Sequence, residues 1–308
     1  MRYRPDDYEE KIGLLPKLPQ LSESICEATL EADGLERSFF YYIPKNLPID
    51  APIVFVLHGS FDTGDIMRLA TCGKWDQMAD LHKFVVVYPN SYQDRWNDGR
   101  KNNTDKIVKK EIREEPFFLS MVDYFYLQFK INRKKIFWFG HSNGGHMVYR
   151  LAHTEPRIVS ALAVTCANIP APTNRSIEFT NPPSIPVMLV HGTEDPIAPF
   201  QGGSSNIPMI GKLLGPGLSA KETLEYWLDT VKMDANPKCE ILPNCKHDCI
   251  VEKCLWSRPG CPDVCHIVIH GGGHTMPNIS FDFPDFLGRT NRDINISEEA
   301  WKFFKKNI

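Results

Sequence analysis

The chain has 308 residues, of which 42% are hydrophobic and 24% charged, with a formal net charge of -3 and a mean hydropathy of -0.30. This composition excludes a mainly disordered or collagen-like chain, because it supplies enough apolar surface to bury a large core. No block of basic residues marks a surface for nucleic acid. No apolar run reaches the roughly 18–20 residues that span a bilayer. We therefore expect small-molecule or polymeric partners, with neither nucleic acid nor a membrane span.

Short apolar runs rich in valine, isoleucine and aromatic residues alternate with longer amphipathic stretches. The short runs predict strands at 39–43, 53–57, 84–88, 136–139, 161–165, 187–190 and 267–269. The longer stretches predict helices at 66–81, 116–129, 144–153, 220–231 and 298–304. Ser219 and Glu222 are spaced as in a capping box, and Ser297 stands where it would cap the last helix. Alternating strands and helices indicate a predominantly parallel sheet flanked by helices.

The chain shows neither an internal repeat nor a low-complexity linker. We therefore predict a single α/β catalytic domain over 35–308, preceded by an N-terminal extension at 1–34. Cysteines are concentrated between residues 239 and 265, which indicates a Cys-rich insertion at about 234–265. The glycine- and proline-rich stretch 196–217 predicts a long loop near the site.

The run Gly-His-Ser-Asn-Gly-Gly at 140–145 stands between the fourth predicted strand and a predicted helix. A strand, the pattern Gly-x-Ser-x-Gly and a helix are the context of a nucleophile elbow. Such a turn raises the hydroxyl of Ser142 above the sheet edge, at a helix N-terminus that favours a developing negative charge. The motif taken alone has a second interpretation, a Gly-Ser turn without catalysis.

A serine hydroxyl is a poor nucleophile near neutral pH unless a base, oriented by an acid, takes its proton. Asp195 and His274 each follow a further predicted strand, His274 within a glycine-rich loop. The chain order Ser142, Asp195, His274 is that of the α/β-hydrolase triad, and it predicts the α/β-hydrolase fold. There are two alternatives. Asp195 could serve only to start a turn, or Glu194 could be the acid instead. Two other histidines follow strands, and we interpret both as structural: His58 and His191.

An ester-cleaving serine needs two backbone N–H donors for the oxyanion. One is predicted at Asn143, the residue after the nucleophile. The second is predicted in the loop after the strand 53–57, where glycine lets the chain bend toward the site. We favour Ser60 for this donor, with Phe61 as the alternative.

Six segments carry a resemblance to a known enzyme group. They are Tyr-Pro at 88–89, Trp-Asn-Asp-Gly-Arg at 96–100, the serine run at 140–145, His-Gly-Thr-Glu-Asp-Pro at 191–196, Gly-Leu-Ser-Ala-Lys-Glu-Thr at 217–223 and Gly-Gly-Gly-His-Thr at 271–275. These segments resemble the polyhydroxybutyrate depolymerase and feruloyl esterase group, close to carbohydrate esterase family one. The resemblance runs from about residue 35 to the C-terminus. It implies a serine-dependent, cofactor-free carboxylic-ester hydrolase, often secreted, with no metal in its site.

The chain departs from the pattern of that group at two places. Met276 stands where tryptophan is common, and Arg-Glu-Glu-Pro-Phe-Phe stands at 113–118 where consecutive aspartates are common. Because Met276 stands two residues after His274, we expect it to border the acyl pocket. Methionine offers no broad face for an aromatic ring, so short aliphatic acyl esters should be handled at least as well as bulky hydroxycinnamoyl ones. Trp96 follows a strand in a polar loop, so it is our candidate for stacking on substrate, with anchoring of that loop as the alternative.

The clustered cysteines permit many pairings, and sequence alone selects none. They are Cys239, Cys245, Cys249, Cys254, Cys261 and Cys265. The resemblance implies a disulfide between Cys239 and either Cys261 or Cys265. The alternative is a zinc site drawn from Cys245, His247, Cys249 and Cys254, although the Cys-x2-Cys pair of structural zinc is missing.

Full pairing of the cluster would leave three free thiols, Cys26, Cys72 and Cys166. Disulfides favour an oxidising compartment. The first residues lack the apolar core of a signal peptide. We therefore expect a secreted or extracytoplasmic protein whose leader is absent from this sequence.

The sequence thus predicts a serine esterase that forms an acyl-enzyme intermediate. The expected substrates are polyhydroxyalkanoate-type esters or feruloyl and acetyl esters of polysaccharides. Two alternatives remain. One is a serine peptidase or acyltransferase of the same fold, since the triad serves those reactions as well. The other is a non-catalytic binding protein whose Cys-rich insertion is the functional surface.

Overall fold

The computed structural model describes residues 18–102, 111–179, 182–243 and 249–308. Within these residues one sheet has the strand order β1-β2-β4-β3-β5-β6-β7-β10-β9-β8. The strands are β1 Cys26–Ala32, β2 Leu35–Tyr42, β3 Ile53–Leu57, β4 Val85–Pro89, β5 Ile136–His141, β6 Ala161–Thr165, β7 Val187–Gly192, β8 Lys238–Ile241, β9 Ile250–Trp256 and β10 Val264–His270. From β4 to β10 in the sheet order neighbouring strands pair in parallel, and the two outer strands at each edge pair antiparallel.

The described α-helices are α1 Gly64–Ala70, α2 Lys74–His82, α3 Glu115–Phe129, α4 Asn143–Thr154, α5 Pro208–Leu214, α6 Ala220–Thr230 and α7 Ile296–Phe304. Short 3₁₀ turns lie at Pro156–Ile158, Pro172–Asn174, Asp285–Leu287 and Lys305–Asn307. Among the helices described, none combines the length and the apolar character that a membrane span requires.

The central strands are buried on both faces. In β3, Ile53 and Phe55 pack into one apolar cluster, whereas Val54 and Val56 pack into a second cluster on the other side of the sheet. This alternation follows from the two-residue period of a strand, and burial on both faces is typical of parallel strands covered by helices. The predicted parallel sheet flanked by helices is confirmed.

Three strands were not predicted, and all are antiparallel strands toward the sheet edges: β1, β8 and β9. All four residues of β8 are exposed, and most of β1 is exposed or half-buried. Edge strands carry charged residues that blunt further pairing, so they lack the apolar runs that revealed the central strands. The strand β1 lies within the predicted extension 1–34 and joins the main sheet. The assignment of 35–308 to a single catalytic domain stays a prediction.

Three local predictions about helices need correction. The single helix predicted at 66–81 is two helices, α1 and α2, because Cys72 and Gly73 both have a left-handed backbone that interrupts the helix. The last helix is capped by Asn295 and not by Ser297, since the Asn295 side chain accepts from two N–H groups of the first turn. The predicted loop 196–217 contains the short helix α5. The capping box of Ser219 and Glu222 is confirmed.

The disulfide predicted from the resemblance is wrong in its partner. Cys239 is bonded to Cys254, because β8 and β9 pair antiparallel with these two residues directly opposite each other. Cys261 and Cys265 are free thiols, as are the three cysteines predicted to be free, Cys26, Cys72 and Cys166. A zinc site through Cys254 is excluded by its disulfide, and two of the other three proposed zinc ligands, Cys245 and His247, lie outside the described residues.

Candidate active site

Ser142 lies on a sharp turn between β5 and α4, with a left-handed φ of 52°. The turn is possible because its flanking glycines carry no side chain. A Cβ on Gly140 would lie 2.5 Å from the carbonyl oxygen of Gly144, and a Cβ on Gly144 would lie 2.5 Å from that of Leu57. Any larger residue at either position would have to move the backbone, so the strained serine is held by its surroundings.

The structure brings together the three side chains that the sequence selected as a triad. His274 Nε2 lies 2.8 Å from Ser142 Oγ, and His274 Nδ1 lies 2.7 Å from Asp195 Oδ2. With Nδ1 donating to the carboxylate, Nε2 is left as an acceptor for the serine hydroxyl. His274 and Asp195 are each only 5% exposed, so their contact is shielded from water. This is the geometry that activates a serine for attack on a carbonyl carbon.

Asp195 is held in place by the loop that follows β7. Its Oδ1 accepts hydrogen bonds from the backbone N–H groups of Ile197 and Ala198, both at 2.8 Å. These contacts orient the carboxylate toward His274 and stabilise its charge. The side chain of the rival acid, Glu194, is exposed to solvent.

The other two histidines that follow strands have partners away from Ser142. His58 Nδ1 lies 2.6 Å from the carbonyl of Gly59, and its Nε2 accepts from the N–H of Ser91. His191 Nδ1 lies 3.0 Å from His266 Nε2. Burial lowers the pKa of both His58 and His191 to about 4, so they are neutral near pH 7.

The two predicted oxyanion donors flank the nucleophile. Neither the N–H of Ser60 nor that of Asn143 donates to an acceptor among the described residues. The N–H of Phe61 donates to the carbonyl of Asp94 at 2.7 Å, so it is not available to a substrate. A Cβ on Gly59 would lie 3.5 Å from the Ser142 side chain, which shows how closely this loop approaches the serine. The geometry therefore favours Ser60 over Phe61.

The side chain of Asn143 is fastened to the segment 96–100. Its Oδ1 accepts from the Trp96 N–H at 2.8 Å, and its Nδ2 donates to the Trp96 carbonyl at 3.3 Å and to Asp98 Oδ2 at 2.5 Å. Asp98 also pairs with the Arg100 guanidinium, whose Nε donates at 2.9 Å. Burial acts to raise the pKa of Asp98, but Arg100 more than offsets this and lowers it, so the carboxylate stays charged. The sequence did not reveal this contact, because its members are more than 40 residues apart along the chain.

The structure does not support direct substrate contact by Trp96 or Met276. Trp96 is fully buried, and its indole N–H donates to the His58 carbonyl at 3.0 Å, which fits the alternative role of anchoring its loop. Met276 is 1% exposed and packs in an apolar core cluster with Phe281. Its backbone is adjacent to the histidine loop, but its side chain points into the core. The expectation that Met276 borders the acyl pocket is therefore corrected.

A narrow cleft opens directly beside Ser142 and His274. Its polar lining includes Arg100, His146 and Asn168, and residues 197–199 and 214–217 also line it. The cleft has a volume of about 30 Å³. Since a water molecule needs about 10–15 Å³ of such space, the cleft admits two or three small groups. The spacing of four residues between Ser142 and His146 on one helix face was the available sequence signal for this lining residue.

Possible metal ligands converge at two places in the part of the chain described here. The first is Cys166 with Asp195 and His274, and the second is Cys239 with Glu252 and Cys254. In the first group Asp195 and His274 are bonded to each other, and burial raises the pKa of Cys166 well above its ordinary value, which disfavours the thiolate a metal would bind. In the second group both sulfurs are joined in the disulfide. Neither donor set suits a metal ion.

Residues 44–223 match the family model described as phospholipase/carboxylesterase. The match covers more than half of the chain. The chain belongs to this family. Membership assigns the protein to the carboxylic-ester hydrolases and confirms both the α/β-hydrolase fold and the resemblance found in the sequence motifs.

Several characterised or named proteins are similar to this esterase in sequence. A putative esterase NocK from Nocardia uniformis subsp. tsuyamanensis is 27% identical over 273 residues, which cover 83% of this chain and 75% of that protein. Acetylxylan esterase A from Talaromyces purpureogenus is 27% identical over 46% of this chain and 36% of its own length. Poly(3-hydroxyalkanoate) depolymerase C from Paucimonas lemoignei is 26% identical over 40% of this chain and 30% of its own length. The latter two alignments thus span well under half of those proteins.

An acetyl xylan esterase from Aspergillus awamori has a similar solved structure. It superimposes with a TM-score of 0.61 at 17% sequence identity, over 92% of this chain and 99% of that chain. At this identity the likeness concerns the fold.

Proposed function

We propose that this protein is a serine carboxylic-ester hydrolase that acts through an acyl-enzyme intermediate at Ser142. The observation that carries the proposal is His274, which lies within hydrogen-bond distance of both Ser142 Oγ and the Asp195 carboxylate. This constellation, on an elbow between a strand and a helix, is the arrangement that makes a serine nucleophilic.

The proposed reaction has two halves. His274 Nε2 takes the proton of Ser142 as its oxygen attacks the ester carbonyl, and the N–H groups of Ser60 and Asn143 bind the resulting oxyanion. Asp195 holds and stabilises the imidazolium, which then gives its proton to the departing alcohol. Water, deprotonated by His274, attacks the acyl-serine and releases the acid. The site's own residues supply each proton transfer.

We infer short acyl esters as the preferred substrates, with acetyl esters of polysaccharides and hydroxyalkanoate esters as the candidate classes. The small volume of the cleft beside Ser142 supports acetyl or hydroxybutyryl groups over the larger feruloyl group. The names of the acetylxylan esterase and polyhydroxyalkanoate depolymerase relatives agree with this inference. The disulfide Cys239–Cys254 supports our further proposal that the protein works in an oxidising, extracytoplasmic compartment.

The proposal is tested by labelling and by a substrate panel. A fluorophosphonate should modify Ser142, as located by peptide mass spectrometry, and the panel should contain p-nitrophenyl acetate, acetylated xylan, hydroxybutyrate oligomers, methyl ferulate and a peptide anilide. Ser142→Ala should lose several orders of magnitude in kcat/KM while its melting temperature stays close to that of the wild type, because the hydroxyl contributes little to packing.

The results distinguish the alternative functions. Cleavage of the anilide but of no ester would indicate a peptidase, and ester formation with added alcohol in preference to hydrolysis would indicate an acyltransferase. A folded protein that neither cleaves any member of the panel nor takes the label would contradict the proposal and favour a binding protein.

A further inference from the structure

The cleft beside Ser142 is lined by two residues that each carry a buried polar atom with no hydrogen-bond partner within the described structure. The atoms are His146 Nδ1 and Asn168 Oδ1. His146 is 8% exposed and Asn168 is 3% exposed. Buried polar atoms in native proteins are almost always hydrogen-bonded, to protein, to water or to a ligand. Because both residues line one cleft next to the proposed nucleophile, their unpaired atoms point to a polar group that enters it.

The orientation of the Asn168 amide fixes the kind of group that can meet it. Its Nδ2 donates to the carbonyl oxygen of Pro199 at 3.0 Å, so Oδ1 is the amide atom left without a partner. A carboxamide oxygen can only accept. The missing partner of Asn168 must therefore be a donor such as a hydroxyl or an N–H group.

His146 lies on α4 and lines the same cleft, so its ring is a second candidate partner for such a hydroxyl or N–H group. It lies one helical turn after Ser142, and its backbone N–H donates to the Ser142 carbonyl at 3.0 Å. Burial, together with the nearby Arg100 cation, lowers the pKa of His146 to about 3, so its ring is neutral near pH 7. In a neutral imidazole Nδ1 can carry the hydrogen and donate it to a hydroxyl oxygen, whose own hydrogen is then free to go to Asn168 Oδ1.

The charges in the cleft wall cancel, which argues for a neutral ligand. Arg100 lines the cleft, but its guanidinium is paired with the buried carboxylate of Asp98. A carboxylate ligand would have to compete with Asp98, and a cation would meet Arg100. A neutral hydroxyl group neither competes with Asp98 for Arg100 nor is repelled by the Arg100 charge.

We propose that His146 and Asn168 form a subsite for a hydroxyl group of the ester, next to the carbonyl that Ser142 attacks. The inference rests on the proposed function and narrows its substrate class to esters with a hydroxyl a few bonds from the scissile carbonyl. Two sources offer this chemistry. One is a hydroxyl on the acyl side, as in 3-hydroxyalkanoates, and the other is a neighbouring hydroxyl on the alcohol side, as in partly acetylated sugars.

Two matched pairs of esters test the subsite and separate these sources. Ethyl 3-hydroxybutyrate is compared with ethyl butyrate, and trans-2-hydroxycyclohexyl acetate with cyclohexyl acetate. We expect the wild type to prefer the hydroxylated member of one pair by about tenfold in kcat/KM, the effect of a hydrogen bond of roughly 1.4 kcal/mol. Asn168→Leu and His146→Leu should each bring that ratio to within about twofold of one.

His153→Leu is the matched control, since His153 lies on the same helix and bonds to Tyr149 and Tyr226. Its ratio should equal that of the wild type. Because each value is a ratio of two substrates, partial unfolding of a variant lowers both rates and leaves it unchanged. If neither leucine variant folds, His146→Phe, which keeps a ring but no polar atom, takes their place and should likewise bring the ratio to within about twofold of one.

If the wild-type kcat/KM ratio is near one for both pairs of esters, the subsite is overturned. His146 Nδ1 and Asn168 Oδ1 would then be assigned to bound water. A tenfold preference that survives both leucine substitutions would overturn the subsite as well. In either case the esters are still hydrolysed and Ser142→Ala is still inactive, so the proposed function stands. Failure to hydrolyse any of the four esters, with Ser142→Ala no different from wild type, would instead mean that the proposed function itself has failed.

Discussion

At the scale of single residues, the site depends on where hydrogen-bond donors point. His274 can accept the Ser142 proton because its other nitrogen faces Asp195, which two backbone N–H groups hold in place. Glu194 is the neighbouring acid along the chain, but its side chain is exposed. The side chains of adjacent residues point in different directions. Glu194 and Asp195 therefore have unequal structural roles although they are neighbours in sequence.

These two acids form a matched pair of variants. Asp195→Asn should lower kcat by several orders of magnitude, because an amide at this position favours the wrong tautomer of His274. Glu194→Gln should retain activity within about twofold. Steady-state kinetics on p-nitrophenyl acetate would measure both. The reverse ranking would transfer the acid role to Glu194.

At the scale of elements, the elbow is supported by a segment that lies far away in sequence. The residues 96–100 fasten Asn143 through both backbone groups of Trp96 and the carboxylate of Asp98. The backbone N–H of Asn143 is one of the two proposed oxyanion donors. A small displacement of such a donor weakens its bond to the transition state more than its contact with the substrate.

Asp98→Ala should therefore lower kcat by about 10- to 100-fold with little change in KM. The factor should be the same for hydroxylated and plain esters, which distinguishes this role from that of His146 and Asn168. The control is Asp123→Ala, which removes an exposed partner of Arg133 and should leave both constants unchanged. A rise in KM at constant kcat would contradict the role assigned to Asp98.

The outer hairpin formed by β8 and β9 is an element whose contribution should be to stability alone. Its disulfide closes a loop with a sequence separation of 15. Replacing Cys239 and Cys254 by serine should lower the free energy of unfolding by up to about 3 kcal/mol, because the unfolded chain gains freedom. Activity at 25 °C should not change, since neither sulfur contacts Ser142, Asp195 or His274.

Thermal melting with and without reductant measures that loss. Peptide mapping without reductant should find Cys239 linked to Cys254 and both Cys261 and Cys265 alkylated. A Cys239 peptide linked to Cys261 or Cys265 would contradict the structure and restore the pairing expected from the family resemblance.

At the scale of the whole molecule, the fold buries several histidines in neutral form. Burial lowers the pKa of His58 and His191 to about 4 and that of His146 and His266 to about 3. In the unfolded chain each would titrate near pH 6.5. Between these values the unfolded state binds more protons than the folded state, so stability must fall as the pH drops below about 6.5.

Three carboxyls act in the opposite direction, since burial raises the pKa of Asp62, Asp76 and Glu114. Burial, with Asp65 and Asp94 nearby, raises the pKa of Asp62 to about 7, so the folded state holds a proton there that the unfolded state releases. With His141 added, five buried imidazoles outnumber these three carboxyls, so unfolding at pH 5 takes up protons on balance. Urea unfolding at pH 7, 6 and 5 should show a falling free energy, and His266→Asn should reduce the slope. Equal stability at pH 7 and pH 5 would contradict this account.

The amino-acid sequence by itself determined the central strands, the elbow and the order of Ser142, Asp195 and His274. These features are local: a buried parallel strand is a short apolar run, and the elbow needs glycines at set distances from its serine. Their chain order then specifies one topology, because parallel strands bring their carboxyl ends to the same edge of the sheet. For this reason three side chains more than 130 residues apart at their extremes could be predicted to meet.

Only the tertiary structure decided the remaining features. Trp96 and Met276 look like surface residues from their neighbours in sequence, yet both are buried, because burial depends on what other elements place over a side chain. The partner of Cys239 depends on the register of β8 against β9, and His146 and Asn168 become candidates for one site only because the fold brings both into the same cleft. Such contacts join residues by their position in space, and a linear pattern records only the spacing along the chain.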